Sequence, residues 1–459
     1  MEDLQFLVDH GLSRGADFVE VRYQKRSRTM ANVKKGELDS ATCGVLEGCG
    51  IRVLKRGSWG FAVTSSLSRE ILLNKVEEAI RLAASSASSK TTKSELAAAK
   101  ATNMRAVAKA KDDPRNHSLE EKIRLALELD KFIREYSSEI ASTWVRYDEN
   151  LIEKHYVNSQ GSDCYLFDVK PDLFMMVIAK RGGVMTEVFE GVCRTGGWEI
   201  FKVKNPEVMA KTACERAVRL LSAKVAPSGT HVAILDPELV GLLSHEAIGH
   251  TVEADSVISG TAATGKIGEK VASGMVTMVD DGTISWCAGW VPFDDEGVEG
   301  QKTVIIDEGV LKSYLHSRET AAKFNVAPTG NSRAWNYRDI PLIRMRATYI
   351  EGGDWDREGI IQDTKDGLLL FGSGSGQADS NAEFMFGVQE AYKIHNGEIG
   401  EPFRGVTISG NAYDVLKSID AVGKDFSLEL GRGHCGKMQP AKVDAGGPTV
   451  RCKMLFGGA

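Results

Sequence analysis

The stretch ELVGLLSHEAIGHTVEAD, Glu238 to Asp255, places a polar trio inside an apolar helical face. Leu239, Val240, Leu242, Leu243, Ile248 and Val252 supply the face, and His245, Glu246 and His250 interrupt it. Buried without partners, such groups are costly, so a metal or a set of core hydrogen bonds is required. The run reads H-E-x-x-x-H, one residue longer than the zinc-protease helix H-E-x-x-H. On a regular helix, residues four apart differ by about 40° in azimuth and residues five apart by about 140°. The two imidazoles therefore converge only if the helix holds a wide i→i+5 turn. Gly249 is where such a distortion is expected to meet the least steric resistance.

Around this helix the second half of the chain is rich in glycine and short β-type runs: HVAILDP, KTVIIDEGVLKSYL, PLIRMRATYIEGG, EAYKIHNGEIG and TVRCKMLFGG. DEG, NGE and EGGD supply hairpin turns between them. FGSGSGQADSN, Phe371 to Asn381, lacks the Gly-Lys-Ser/Thr ending of a phosphate loop and reads as a hairpin or flap. Residues 226–459 are thus expected to form a mainly antiparallel β, barrel-like carboxy-terminal domain carrying the HExxxH helix.

Residues 1–225 read as an amino-terminal α+β domain, an antiparallel sheet with flanking helices. In GADFVEVRY, Phe18, Glu20 and Arg22 alternate with Val19, Val21 and Tyr23. Further on, Ile71, Leu72, Val76, Ile80 and Leu82 stand at helical spacing. HSLEEKIRLALELDKFIREY opens a second unit, with Ser118 and Glu121 at capping-box spacing. Strand-like runs follow, and NPEVMAKTACERAVRLLSA closes the unit with a proline suited to a first helical turn. Units 1–85 and 117–223 share the order helix, strands, helix. RGSWGF before EEAIRLA is echoed by RTGGWEIF before ERAVRLL. An internal duplication and convergence on amphipathic helices both account for the echo. The Ser/Ala/Lys-rich residues Ala84 to Asn116 read as a mobile connection, in part helical.

At 459 residues the chain exceeds one compact core. Its net charge of −6 argues against a nucleic-acid partner, and no apolar run is long enough for a membrane span. The acidic, amphipathic start MEDLQFLVDHG has no signal-peptide layout, so a cytoplasmic location is expected. The eight cysteines form no C-x-x-C pair, and most are expected to be reduced and buried.

A catalytic zinc site needs a third protein ligand. Spacing alone leaves Glu253, Asp255 or a residue from a distant loop. Among distant residues, Cys435 in GRGHCGK is bracketed by glycines that let backbone approach closely, and His434 beside it competes. Glu253 and Asp255 also suit acceptors for imidazole N–H groups, or a helix end. By residue type, Tyr314, His316, Arg333 and Arg344 are oxyanion-donor candidates.

HEAIGHTVEAD, PTGNSR, NGEIGEPFRGVTISGN and CGKMQPAKVDAGGPTVR together resemble the TldD/PmbA family of peptidases, also called modulators of DNA gyrase. The likeness spans nearly the whole chain, and the H-E-x-x-x-H run is similar to that of the TldD-type, catalytic subunit. The resemblance implies a zinc-dependent protease acting on unfolded or extended polypeptides. It implies His245, His250 and Cys435 as ligands of one Zn2+ per catalytic subunit, with Glu246 as catalytic base. It also implies a dimer, with a PmbA-like subunit or with itself. One departure stands out: where the family continues CGK into a GQ element, this chain reads CGKMQPAK. The rival readings are a non-catalytic scaffold with a structural metal clip and a DNA-associated regulator, the latter opposed by the acidic balance.

Overall fold

The computed structural model describes residues 4–428 and 434–458. The first unit comprises α1 (Gln5–Ser13), β1 (Phe18–Lys34), β2 (Glu37–Lys55), β3 (Ser58–Thr64) and α2 (Arg69–Ala87). A short strand, β4 (Asn103–Val107), leads to the second unit: α3 (Leu119–Tyr136), β5 (Ile140–Asn158), β6 (Asp163–Arg181) and β7 (Val184–Cys193), closed by the helix Pro206–Leu220. Antiparallel pairing of β1 with β5 fuses the two units into one sheet, in the order β3-β2-β1-β5-β6. Strands β4 and β7 share the outer edge of β6, pairing with its Asp163–Phe167 and Asp172–Arg181 stretches.

The two faces of this sheet are covered differently. Val19, Val21 and Tyr23 turn toward α1 and α2, in a core with Leu7, Ile51, Leu72 and Val76. Strand β3 lets α2 approach through Gly60, where a Cβ would lie 1.9 Å from the Ala79 carbonyl oxygen. Ala79 and Ala83 consequently form the buried seam, while Ile71 and Leu82, expected in it, face solvent. The alternate residues Glu20, Arg22, Gln24 and Arg26 are also buried, against the carboxy-terminal half. Arg22 donates to the Asp339 carbonyl at 2.6 Å, and Gln24 to that of Trp335 at 3.2 Å.

The expected capping box forms: Ser118 N donates to Glu121 Oε2 at 2.7 Å, and Glu121 N to Ser118 Oγ at 3.2 Å. The connection Ala84 to Asn116 departs from its reading as a mobile segment. The α2 helix runs on to Ala87, Ser94 N donates to the Gly57 carbonyl, Ala97 N to that of Arg318, and β4 joins the sheet. Main-chain hydrogen bonds fix this small-residue stretch, and they leave no mark on side-chain pattern.

In the carboxy-terminal half, Gly229–Leu235, Val450–Gly458, Val406–Asn411, Glu383–His395 and Asp366–Ala378 pair in succession. The last returns to the first in parallel, closing a five-stranded barrel. FGSGSGQADSN falls in the hairpin between Asp366–Ala378 and Glu383–His395. A second, six-stranded sheet is centred on Met278–Asp281 and Ala347–Ile350. Leu239, Val240, Leu243, Ala247, Ile248 and Val252 share one hydrophobic core with Leu235, Leu370, Phe386 and Val450 of the barrel. Burial of each such side chain contributes roughly 1.5–3 kcal/mol, which anchors the HExxxH segment. No helix among the described residues is long and apolar enough to cross a membrane.

Candidate metal centre

The chain from Pro237 to Val252 is helical but not uniform. Asp236 caps a regular helix, Pro237–Leu242, by accepting from Leu239 N at 2.9 Å. Leu243–Ile248 then widens to i→i+5 hydrogen bonding, and Gly249–Val252 tightens to an i→i+3 turn. The wide turn absorbs the extra residue of the motif, and His245 and His250 meet with ring centroids 5.2 Å apart. Gly249 serves this geometry for a reason other than the one expected. Its φ of −55° is ordinary helix, so conformational freedom is not what is used. A Cβ there would lie 2.0 Å from Met345 Sδ, so glycine supplies space.

Cys435 arrives from the far end of the chain on a two-stranded hairpin, His434–Lys437 with Gln439–Lys442. Its Sγ lies 3.2 Å from His250 Nε2. Donor atoms of His245, His250 and Cys435 all fall within 4.8 Å of one another. Buried Arg344 pins both hairpin strands, donating to the carbonyls of Cys435 at 2.7 Å and Gln439 at 2.5 Å. Met438 forms the tip, 99% exposed and at φ +60°. Glycine would take that φ without strain. The His434 side chain lies outside the described residues.

The donor set fits a divalent cation. His245 is 1% exposed, yet neither ring nitrogen has a hydrogen-bond partner. Orphaned buried nitrogens are destabilising, and a bound metal would take up one of the two. His250 Nδ1 faces the fully buried Glu253 carboxylate at 3.0 Å, leaving Nε2 directed at Cys435. Two imidazoles and a thiolate form a ligand set suited to zinc.

The electrostatics follow from the same contacts. Burial alone would push the Cys435 thiol up, but His245 and His250 overcome it and bring the group down to about 5. Burial would lower His250, but hydrogen bonds and charge from Cys435 and Glu253 raise it to about 10. Glu253, which burial would raise, is held below the usual carboxylate range by His250 and Lys437.

Lys437 is the residue that the sequence reading missed. Its Nζ donates to Glu253 at 3.1 Å, to both Asp255 oxygens at 2.7 Å and to the Ile343 carbonyl at 3.2 Å. It stands two residues beyond Cys435 on a strand, so both side chains leave the same face. Of the two expected acceptors, Glu253 meets an imidazole and Asp255 meets this lysine instead. The four oxyanion-donor candidates are engaged elsewhere. Tyr314 donates to the Ala263 carbonyl, His316 Nδ1 lies beside Thr320, and Arg333 and Arg344 hold main-chain carbonyls. Glu246 keeps about a third of its side chain exposed, with Oε2 3.8 Å from His250 Nε2. Nearby, a cleft of about 720 Å3 runs from Trp59 and Phe61 past Leu342 and Ile343 to Asp255.

Residues 228–458 match the PmbA/TldA metallopeptidase C-terminal domain, 112–221 the central domain and 19–87 domain 1. The chain belongs to the PmbA/TldD metallopeptidase family. It is 36% identical to a metalloprotease of Methanocaldococcus jannaschii, over 98% of both chains. A zinc metalloprotease TldD homolog of Saccharolobus solfataricus is 31% identical over 96% of each. The fold is shared with a crystallised Thermotoga maritima protein, at a TM-score of 0.81, 24% identity and 99% coverage of both chains. It is shared too with TldE from Thermococcus kodakarensis, at 0.78, 20% and 99% of both. This PmbA/TldD protein is accordingly a metallopeptidase, with the mixed α+β architecture of its relatives.

Proposed function

We propose that the chain is a zinc-dependent peptidase that cleaves unfolded or extended polypeptides, with one zinc held by His245, His250 and Cys435 and with Glu246 as general base. The observation that carries this reading is the convergence of three donor atoms, two of them on an irregular helix, around the unpartnered His245 ring. When bound, the ion supplies Lewis acidity, which polarises a carbonyl and acidifies water.

The residues have separate tasks. Cys435 binds as thiolate, which the flanking imidazoles favour. Glu253 accepts the His250 Nδ1 proton, fixing the tautomer that presents Nε2 as a ligand. Arg344 holds the Cys435 carbonyl and so sets the position of the sulfur. Glu246 follows a ligand in sequence, and its part-exposed carboxylate is open to water. It takes a proton from the attacking water and delivers it to the leaving amine nitrogen. An open cleft with mixed apolar and charged walls accommodates an extended chain more readily than a folded domain. Assembly with a PmbA-like subunit or a second copy, and a cytoplasmic location, complete the proposal.

Glu246→Gln tests it. Loss of peptide cleavage by about 10²–10⁴-fold, with zinc content unchanged, is the expected result. Full cleavage with zinc retained contradicts the base role.

A further inference from the structure

Between the polar face of the amino-terminal sheet and the carboxy-terminal half lies a cavity of about 70 Å3. That is room for several waters or one small solute. Its walls hold charged side chains that the peptidase chemistry does not use. Three lysines are matched by carboxylates: Lys154 by Asp295 at 2.6 Å, Lys442 by Asp172 at 2.5 Å, and Lys170 by Asp168. The two arginines differ. Arg333 directs its terminal nitrogens to the carbonyls of Met345 and Lys442, which are neutral acceptors. Arg26 is 8% exposed and lies over the Trp335 ring, 3.5 Å from its centroid, with Nε and Nη1 lacking any hydrogen-bond partner. Burial first, and neighbouring arginines second, lower both guanidiniums to about 10, although Asp168 and Asp148 partly offset this at Arg26 and Asp280 and Asp295 at Arg333.

Acceptors on the same walls are also unfilled: Gln24 Oε1, Asn150 Oδ1 and Asp168 Oδ1. Free donors on a buried cation call for negative oxygens, and free acceptors call for N–H or O–H groups. A simple halide or acetate satisfies only the first requirement. We propose that this cavity binds a small carboxylate that carries its own amino or hydroxyl group, its carboxylate on Arg26 and its donor on Gln24, Asn150 or Asp168.

The site's position gives occupancy a consequence. Pro440, Ala441 and Lys442 form part of the wall, and Ala441 pairs directly with Cys435. A bound carboxylate fills the space between the amino-terminal sheet and the hairpin that presents Cys435, and it stabilises the folded chain by mass action. The inference does not depend on which residues hold the metal.

Calorimetry and thermal unfolding of the full chain with glycine, glycolate, acetate and methylammonium test this. Glycine or glycolate is expected to bind one per chain and to raise Tm, with glycine against glycolate separating amino from hydroxy acids. Acetate should bind about tenfold more weakly, and methylammonium not at all. Arg26→Met should weaken binding about tenfold or more, while Tm without added carboxylate holds or rises, because a buried cation with unfilled donors has been replaced by an apolar chain. If Arg26→Met does not fold, Gln24→Leu replaces it and should narrow the gap between glycine and acetate. No carboxylate binding to the unaltered chain, or unchanged affinity in Arg26→Met, overturns the site. Equal affinity for acetate and glycine overturns the assigned donor.

Discussion

His250 Nε2 stands 3.2 Å from Cys435 Sγ, although 185 residues of chain separate them. Each comes from an element with its own anchor: the wide helical turn sits in the barrel core, and Arg344 pins the hairpin. The contact brings a depressed thiol and a raised imidazole into one hydrogen-bonded pair.

Metal uptake should therefore release a proton. With Cys435 at about 5 and His250 at about 10, a cation taking both as ligands at pH 7 displaces the His250 proton alone. Apparent affinity should fall about tenfold per pH unit as pH drops from about 10 to about 5, and more steeply below. The same shifts give the sign for stability. The His250 contribution is complete below its ordinary 6.5 and is lost as pH rises through about 10. That of Cys435 is complete above its ordinary 9.0 and is lost as pH falls through about 5. Zinc titrations in buffers of different ionisation enthalpy measure the proton count; zero protons released at pH 7 would contradict the pairing.

Gly249→Ala should lower stability by about 1–3 kcal/mol through overpacking against Met345. The added Cβ falls 2.0 Å from Met345 Sδ. Adding Met345→Ala should remove the clash while leaving its own cavity cost, so the double variant is less destabilised than the sum of the singles. Strict additivity in thermal unfolding would show that the two residues do not meet.

Lys437→Met should weaken zinc binding by about 10–100-fold without unfolding the chain. It removes the cation that joins Glu253 to Asp255 and leaves the buried Glu253 carboxylate with His250 alone. Competition with a chromophoric chelator measures the change. An unaltered affinity would reduce the lysine to a surface ion pair.

Much of this arrangement is legible in the sequence. The odd spacing of His245 and His250 predicts the wide turn because no regular helix brings residues five apart together. Ser118 and Glu121 announce their capping box, and glycine-punctuated runs announce hairpins and a barrel-like half. What escapes the sequence is long-range and mutual. The alternation of β1 looks like a strand with one face in water, yet Arg22, Gln24 and Arg26 are buried by another part of the chain. Lys437 gains its partners only when hairpin and helix meet, and β4 is held by main-chain bonds that side chains do not encode. Gly249 shows the same limit: its position could be read, but the thioether that requires it lies 96 residues away.

The central claim is that one zinc sits among His245, His250 and Cys435, and anomalous diffraction at the zinc edge tests it most directly. A single peak about 2.0–2.3 Å from a nitrogen of each imidazole and from the sulfur is the predicted result. A zinc-loaded crystal with no peak among those three side chains, or with its peak on other residues, would contradict it.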